Sequence, residues 1–283
     1  MKTQTECHFS TLGTHTGIEV RGLDLSAPID SELTNRLNRA FVEHSVLVVR
    51  DQHLSAAQLL DAVQLFGDVF RQHNTKFALP ECPQIHYLSN QDRYPDGKRY
   101  IPGDGYHTDH SNAVAPPKAT VLYAIKLPDS GGDTQYVNMH AAYEGLSEAM
   151  KSQLQNLQAA HVYQNRHSKR KLMGLTDTQR QNVPAEVLHP VVRTHPESGK
   201  KALYINPIRI DRIEGMAESD MLPLLDELLT HATQPCYEYR HRWLPGDVVM
   251  WDNRCLLHKA NGDYDMNQER YLYRVMLQGN APA

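Results

Sequence analysis

The first seventy residues switch between two hydrophobic periods. Ile18 to Leu25 alternates apolar and polar side chains, which predicts a half-buried strand. Ser31 to His44 instead repeats Leu33, Leu37, Ala40 and Phe41 at helical spacing. Val46 to Val49 is a short apolar run that reads as a buried strand. Ser55 then caps a helix carrying Leu59, Leu60, Val63 and Phe66, closed by Gly67.

Beyond this point strands dominate. Gln84 to Ser89, Lys118 to Leu127, Thr134 to Met139, Val187 to His195, Lys201 to Asn206, Cys236 to Trp243, Asp247 to Trp251 and Arg270 to Gln278 all have strand character, separated by Gly, Pro, Asn and Asp clusters. Two helices interrupt them, Ser147 to Leu157 and Ala217 to Thr233. Many strands, no strand–helix–strand rhythm and inserted helices predict a mainly β fold with added helices, a double-sheet jelly roll of cupin-like type. No repeat or flexible linker divides the chain, so residues 1–283 read as one domain.

Composition narrows the function. Lys and Arg number 29 against 33 Asp and Glu, a balance that excludes a polybasic nucleic-acid or membrane-surface protein. Apolar runs of a few residues fall far short of the roughly 20 that a spanning helix needs. The segment Met1 to Cys7 lacks the apolar core of a secretion signal. The cysteines at 7, 82, 236 and 255 show no paired spacing, and the expectation is reduced thiols in the cytoplasm. The 16 histidines equal the glycines in number, which directs attention to metal and proton chemistry.

Four segments could carry that chemistry. In His107-Thr108-Asp109, residues i and i+2 of an extended chain aim an imidazole and a carboxylate at one point. One distant imidazole would complete two histidines and a carboxylate on one face of a metal, the set of non-haem Fe(II) oxygenases. His258 follows the Asp252-Asn253-Arg254 turn and is placed to supply it, although a His after a hairpin points to solvent as readily as inward. Arg270 and Arg274 share a face of the last strand. They point into the barrel if Leu272 packs in the core, and to solvent otherwise. Buried guanidinium groups require an anion. Gly131-Gly132 marks a sharp bend before Thr134, with no Gly-Lys-Ser/Thr phosphate loop following.

Together these segments resemble the taurine dioxygenase / phenoxyacetate dioxygenase family of Fe(II)- and 2-oxoglutarate-dependent oxygenases. The likeness runs from about Gly17 to Gly279. It rests on His107-Thr108-Asp109, Ser130 to Thr134, Arg193-Thr194-His195-Pro196 with Ser198-Gly199, and Pro245-Gly246-Asp247 through Trp251-Asp252-Asn253-Arg254 to His258. The resemblance implies a double-stranded β-helix in which His107, Asp109 and His258 ligate Fe(II). It implies that Thr134 and Arg270 hold the distal carboxylate of 2-oxoglutarate, and that Arg274 meets the acidic group of the substrate. O2 would be consumed, a C–H bond hydroxylated, and succinate and CO2 released. Halogenating relatives replace the carboxylate ligand with a small residue; Asp109 therefore favours hydroxylation. Desaturation and ring closure are sibling outcomes at the same site.

Relatives also place substrate contacts after the Phe66-Gly67 helix end, which nominates His73 and Lys76; Arg209 is a further candidate to face the pocket. Gly103-Asp104-Gly105 departs from the taurine dioxygenases, which carry an asparagine contact there, and argues against taurine. Ferrous iron, Asp109, two arginines and dianionic 2-oxoglutarate leave one formal positive charge. A small carboxylate, sulfonate or sulfate ester would neutralise it. Relatives are commonly dimers or tetramers, so a homo-oligomer is expected. The alternative reading is a non-catalytic metal-binding cupin-like module, a sensor or scaffold, since the same three ligands also hold Zn(II). Thr134 and Arg270 would have no task in such a module.

Overall fold

The structure, a computed structural model, describes residues 7–72, 75–93, 97, 99, 101–168, 172 and 174–283. The N-terminal part contains β1 (His8–Thr11), β2 (Ile18–Arg21), α1 (Ser31–His44), β3 (Val46–Val49), α2 (Ala56–Gln64), β4 (Ala78–Leu79) and β5 (Cys82–Ser89). The middle follows with β6 (Ala119–Lys126), β7 (Thr134–Asn138), α3 (Met139–Glu144), α4 (Glu148–Leu154), β8 (Gln158–His161), α5 (Asp177–Gln181), β9 (Val187–Pro190), β10 (Val192–Thr194) and β11 (Lys201–Leu203). The chain closes with β12 (Ile210–Ile213), α6 (Glu218–Ala232), β13 (Glu238–His241), β14 (Val248–Asp252), β15 (Leu256–Ala260) and β16 (Tyr271–Leu277).

Eight strands form the large sheet, in the order β1-β2-β3-β14-β6-β16-β5-β4. Only β2 and β3 run parallel within it. The order β13-β7-β15 forms a second sheet. Side-chain alternation sorts the large sheet into two faces. Val46, Val48, Leu122, Ala124, Val249, Trp251 and Leu272 pack with Tyr136 and Leu257 of the second sheet. Their neighbours Leu47, Val49, Val121, Tyr123, Val248, Met250, Val275 and Leu277 pack beneath Leu37 and Phe41 of α1 and Leu59 and Val63 of α2. With both faces covered, all four residues of β3 are buried. This is the expected jelly roll with added helices.

The helix signals are realised in detail. Asp30 caps α1 by accepting the Leu33 N–H, and Ser55 with Gln58 forms a reciprocal capping box on α2. The expected strand from Val187 to His195 instead divides in two. β9 pairs with β8 while β10 pairs with β11, and the buried Val191 lies at the change of partner. The expected strand from Cys236 opens with a short 3-10 turn at Pro235–Tyr237. Among the described residues, no helix is long and apolar enough to cross a membrane.

Candidate active site

His107 lies outside the named strands but pairs with β15. Its N–H donates to the His258 carbonyl at 3.0 Å, and the His258 N–H donates to the His107 carbonyl at 2.8 Å. This reciprocal antiparallel pair puts both side chains on one side, with ring centroids 4.3 Å apart. Asp109 lies two residues on. One carboxylate oxygen stands 3.8 Å from His107 Nε2 and the other 3.8 Å from His258 Nε2. One donor atom from each of the three residues lies within 4.8 Å of the others. The sequence separation between His107 and His258 is thus closed by two backbone hydrogen bonds.

Neighbouring groups orient this set. His107 Nδ1 meets the Gly105 carbonyl at 2.8 Å. A carbonyl only accepts, so Nδ1 carries the proton and Nε2 keeps its lone pair. Thr120, on the inner face of β6, donates its hydroxyl to Asp109 Oδ2 at 2.6 Å. Asn253 Nδ2 donates to Thr120 Oγ1 at 2.9 Å, and Trp251 Nε1 donates to Asn253 Oδ1 at 3.1 Å. Burial acts to raise the Asp109 pKa, but the surrounding His258, His107 and Arg274 hold it well below the usual carboxylate range.

These residues lie in a cavity of about 1270 Å³, counting its open mouth, which Thr134, Arg209, Arg270 and Arg274 also line. Leu272 is fully buried in the core, and Arg270, immediately before β16, and Arg274 within it both face the cavity. Arg270 is buried; its Nε donates to the Gly132 carbonyl at 3.0 Å, and among the described residues its Nη2 has no hydrogen-bond partner. Burial pulls its pKa down. The glycine pair explains this packing. Gly132 has φ +71°, and a Cβ there would come within 3.2 Å of Arg270 Cδ. Thr134 Oγ1 accepts from Trp243 Nε1 at 3.0 Å. Arg274 donates to Gln72, its Nε has no partner among the described residues, and it faces His86 across the β5–β16 ladder. Burial and the charge of Arg274 push His86 down to about 4, leaving it neutral.

His195, Asp252 and Cys255 also bring three possible ligand atoms within 4.8 Å. There the roles are structural. His195 Nδ1 accepts the Glu197 and Ser198 amides, so Nε2 donates to Asp252 at 3.0 Å. Arg254 grips both Asp252 oxygens. The resulting rigid turn presents Asn253 to Thr120.

The structure therefore brings together His107, Asp109, His258, Thr134, Arg270 and Arg274, with Arg209 also in the cavity. Lys76 is exposed and does not line it. His73 lies outside the described residues. Gln72 is the member of that segment found in the cavity. Gln72, Asp92 and the support residue Thr120 escaped the sequence reading. Only Thr120 carried a signal, since it shares a strand face with Leu122 and Ala124.

A family model described as "Taurine catabolism dioxygenase TauD, TfdA family" matches residues 9–276. An alpha-ketoglutarate-dependent 2,4-dichlorophenoxyacetate dioxygenase of Cupriavidus pinatubonensis is 36% identical, over 90% of this chain and 92% of its own. An alpha-ketoglutarate-dependent sulfate ester dioxygenase of Pseudomonas putida is 34% identical, over 94% and 87%. The crystal structure of a taurine dioxygenase from Burkholderia xenovorans superposes with a TM-score of 0.82 at 29% identity, covering 98% of this chain and 92% of that one.

Proposed function

Because this chain belongs to the taurine catabolism dioxygenase TauD, TfdA family, we propose that it oxidises a C–H bond of a small organic anion. In this reading His107, Asp109 and His258 hold Fe(II), Thr134 and Arg270 hold 2-oxoglutarate, and Arg274 receives the acidic group of the substrate. The observation that carries it is the convergence of the three donor atoms in a cavity that also contains three arginines. Two imidazoles and a carboxylate suit Fe(II) and leave positions open for cosubstrate and oxygen. The buried Nη2 of Arg270, without a partner among the described residues, suits a carboxylate. A non-catalytic metal module would leave that cation unexplained.

Bound there, Fe(II) and 2-oxoglutarate supply the oxidation, consuming O2 and releasing succinate and CO2. The protein's part is to hold and shield. The Gly105 carbonyl fixes the His107 tautomer, and Thr120 fixes the rotation of Asp109. Trp243 occupies an acceptor lone pair of Thr134, whose hydroxyl proton is then available to a ligand carboxylate. Gly132 anchors Arg270 through Nε, leaving Nη2 for the same carboxylate. Leu88, Leu122 and Trp251 line the cavity with apolar surface and keep water from the reacting bond.

The relatives' names give the substrate class, a carboxylate or sulfate ester. Beside Arg270 and Arg274, the cavity holds Arg209 and Asp92, whose formal charges cancel; a net monoanion still neutralises the site. We read the chain as one domain working in the cytoplasm, where its four cysteines, which form no disulfide, would stay reduced. The test is succinate release with Fe(II), 2-oxoglutarate and a panel of carboxylates, sulfonates and sulfate esters paired with neutral analogues. An acid turning over well ahead of its amide supports the reading; equal turnover contradicts the role of Arg274.

A further inference from the structure

Of the three proposed ligands, Asp109 alone sits in a turn. His107 and His258 fix each other through their backbones, whereas the Asp109 N–H reaches Asn253 Oδ1 only at 3.5 Å. The next residue, His110, has φ +45°. That left-handed conformation is uncommon outside glycine and persists only where the surroundings impose it. One buried side chain brackets the bend. Asn206, which follows β11, donates from Nδ2 to the Thr108 carbonyl at 2.8 Å and to Ser111 Oγ at 2.9 Å. The first bond lands just before Asp109 and the second just after His110. A carbonyl only accepts, which fixes the direction of the amide, and Asn206 Oδ1 in turn accepts the Ile208 N–H at 3.3 Å. Thr108 adds a tie of its own, donating Oγ1 to the Asn253 carbonyl at 2.8 Å.

Asn206 is itself a fixed point. Its carbonyl accepts the Arg209 and Ile210 amides, both at 3.0 Å. The buried Asn165 donates Nδ2 to the Pro207 carbonyl at 2.9 Å and to the Ile210 carbonyl at 2.7 Å. Ser111 is fully buried, and its Oγ also meets His161 Nδ1 at 2.9 Å. Hydrogen bonds of this kind, shielded from water, hold one arrangement rigidly.

Resting on the function proposed above, we propose that Asn206 is a positioning residue for the metal site. Its amide staples the Thr108–Ser111 bend and so sets where the Asp109 carboxylate stands relative to His107 and His258. Thr120 governs the rotation of that carboxylate; Asn206 governs the backbone it springs from.

The experiment is anaerobic Fe(II) titration of the full-length protein, with circular dichroism and thermal melts on the same samples. Asn206→Leu, similar in shape, removes both bonds and should weaken Fe(II) binding by about tenfold, the low end of what losing an orienting group costs. Ser111→Ala removes one bond and should give a smaller loss. Leu37→Ala, in the other core layer beneath α1, should lower Tm and leave Fe(II) affinity at the wild-type value, which separates lost stability from lost positioning. A folded Asn206→Leu that binds Fe(II) as tightly as the wild type, or a Leu37→Ala that loses as much affinity, would overturn the proposal. If Asn206→Leu does not fold, Ser111→Ala decides: weaker binding supports the staple and unchanged affinity overturns it. A wild-type protein that binds no Fe(II) refutes the function proposed above and this inference with it. Tight wild-type binding that neither variant alters removes only the role of Asn206.

Discussion

At the scale of single residues, Arg270 and Arg274 divide the labour. Arg270 is buried beside Thr134 with one nitrogen unpartnered among the described residues, whereas Arg274 is partly exposed and tied to Gln72. Truncating one partner of a buried charge pair costs roughly 2–5 kcal/mol, about thirtyfold to several thousandfold in affinity. Arg270→Ala should therefore raise the 2-oxoglutarate KM by a factor in that range and change the substrate KM little. Arg274→Ala should do the reverse. Steady-state kinetics with each ligand varied in turn checks both, and equal effects on both ligands would mean the roles are divided wrongly. Their inward direction was not legible from the residues alone, because Leu272 between them reads equally as core or surface; only the family resemblance gave them ligands to hold. Asp92 was not legible, because a lone aspartate after a strand has the same sequence signature whether it faces a cavity or water.

At the scale of elements, the site is a consequence of ladder register. Thr120 faces Asp109 because β6 puts it on the same side as Leu122 and Ala124, and β14 places Trp251 opposite Thr120. Removing such a support typically costs about 10–100-fold in metal affinity. Thr120→Val, nearly isosteric, should weaken Fe(II) binding within that range while the fold persists. Anaerobic Fe(II) titration measures it, and unchanged affinity would make Thr120 a packing residue only. The elements themselves were read with unequal success for physical reasons. The sequence periods of α1, β3 and α6 matched the observed bounds closely, since each has a strong apolar period and clear stop residues. β8 went unseen because Gln158-Ala159-Ala160-His161 offers no bulky alternation; both alanines are buried, Ala159 against the inner core, by tertiary contact. The break at Val191 was also invisible, because a strand that changes partner keeps its extended pattern.

At the scale of the whole molecule, buried histidines make stability depend on acidity. Burial lowers the pKa of His86, His140, His161, His189 and His241 below the ordinary imidazole value. In the unfolded chain these groups take up protons as pH falls through about 6.5, and in the folded chain they do not. The unfolded state then binds more protons, so stability is complete above pH 6.5 and is lost as pH falls toward the folded values, about 4 for His86. Each such group contributes up to about 1.4 kcal/mol per pH unit in that window. Tm should be flat between pH 7 and 8 and fall steeply between about 6.5 and 5; calorimetric melts across that range check it. A Tm that held level to pH 5 would mean that these imidazoles protonate in place.

The whole account depends on His107, Asp109 and His258 acting as one iron site beside 2-oxoglutarate. The most direct measurement is the visible spectrum of the full-length protein after anaerobic addition of Fe(II) and 2-oxoglutarate, with His258→Ala measured alongside. The expected result is a weak charge-transfer band in the wild-type protein, absent from His258→Ala while its far-ultraviolet circular dichroism is unchanged. A wild-type protein without the band, or a folded His258→Ala that retains it at full strength, would contradict the assignment.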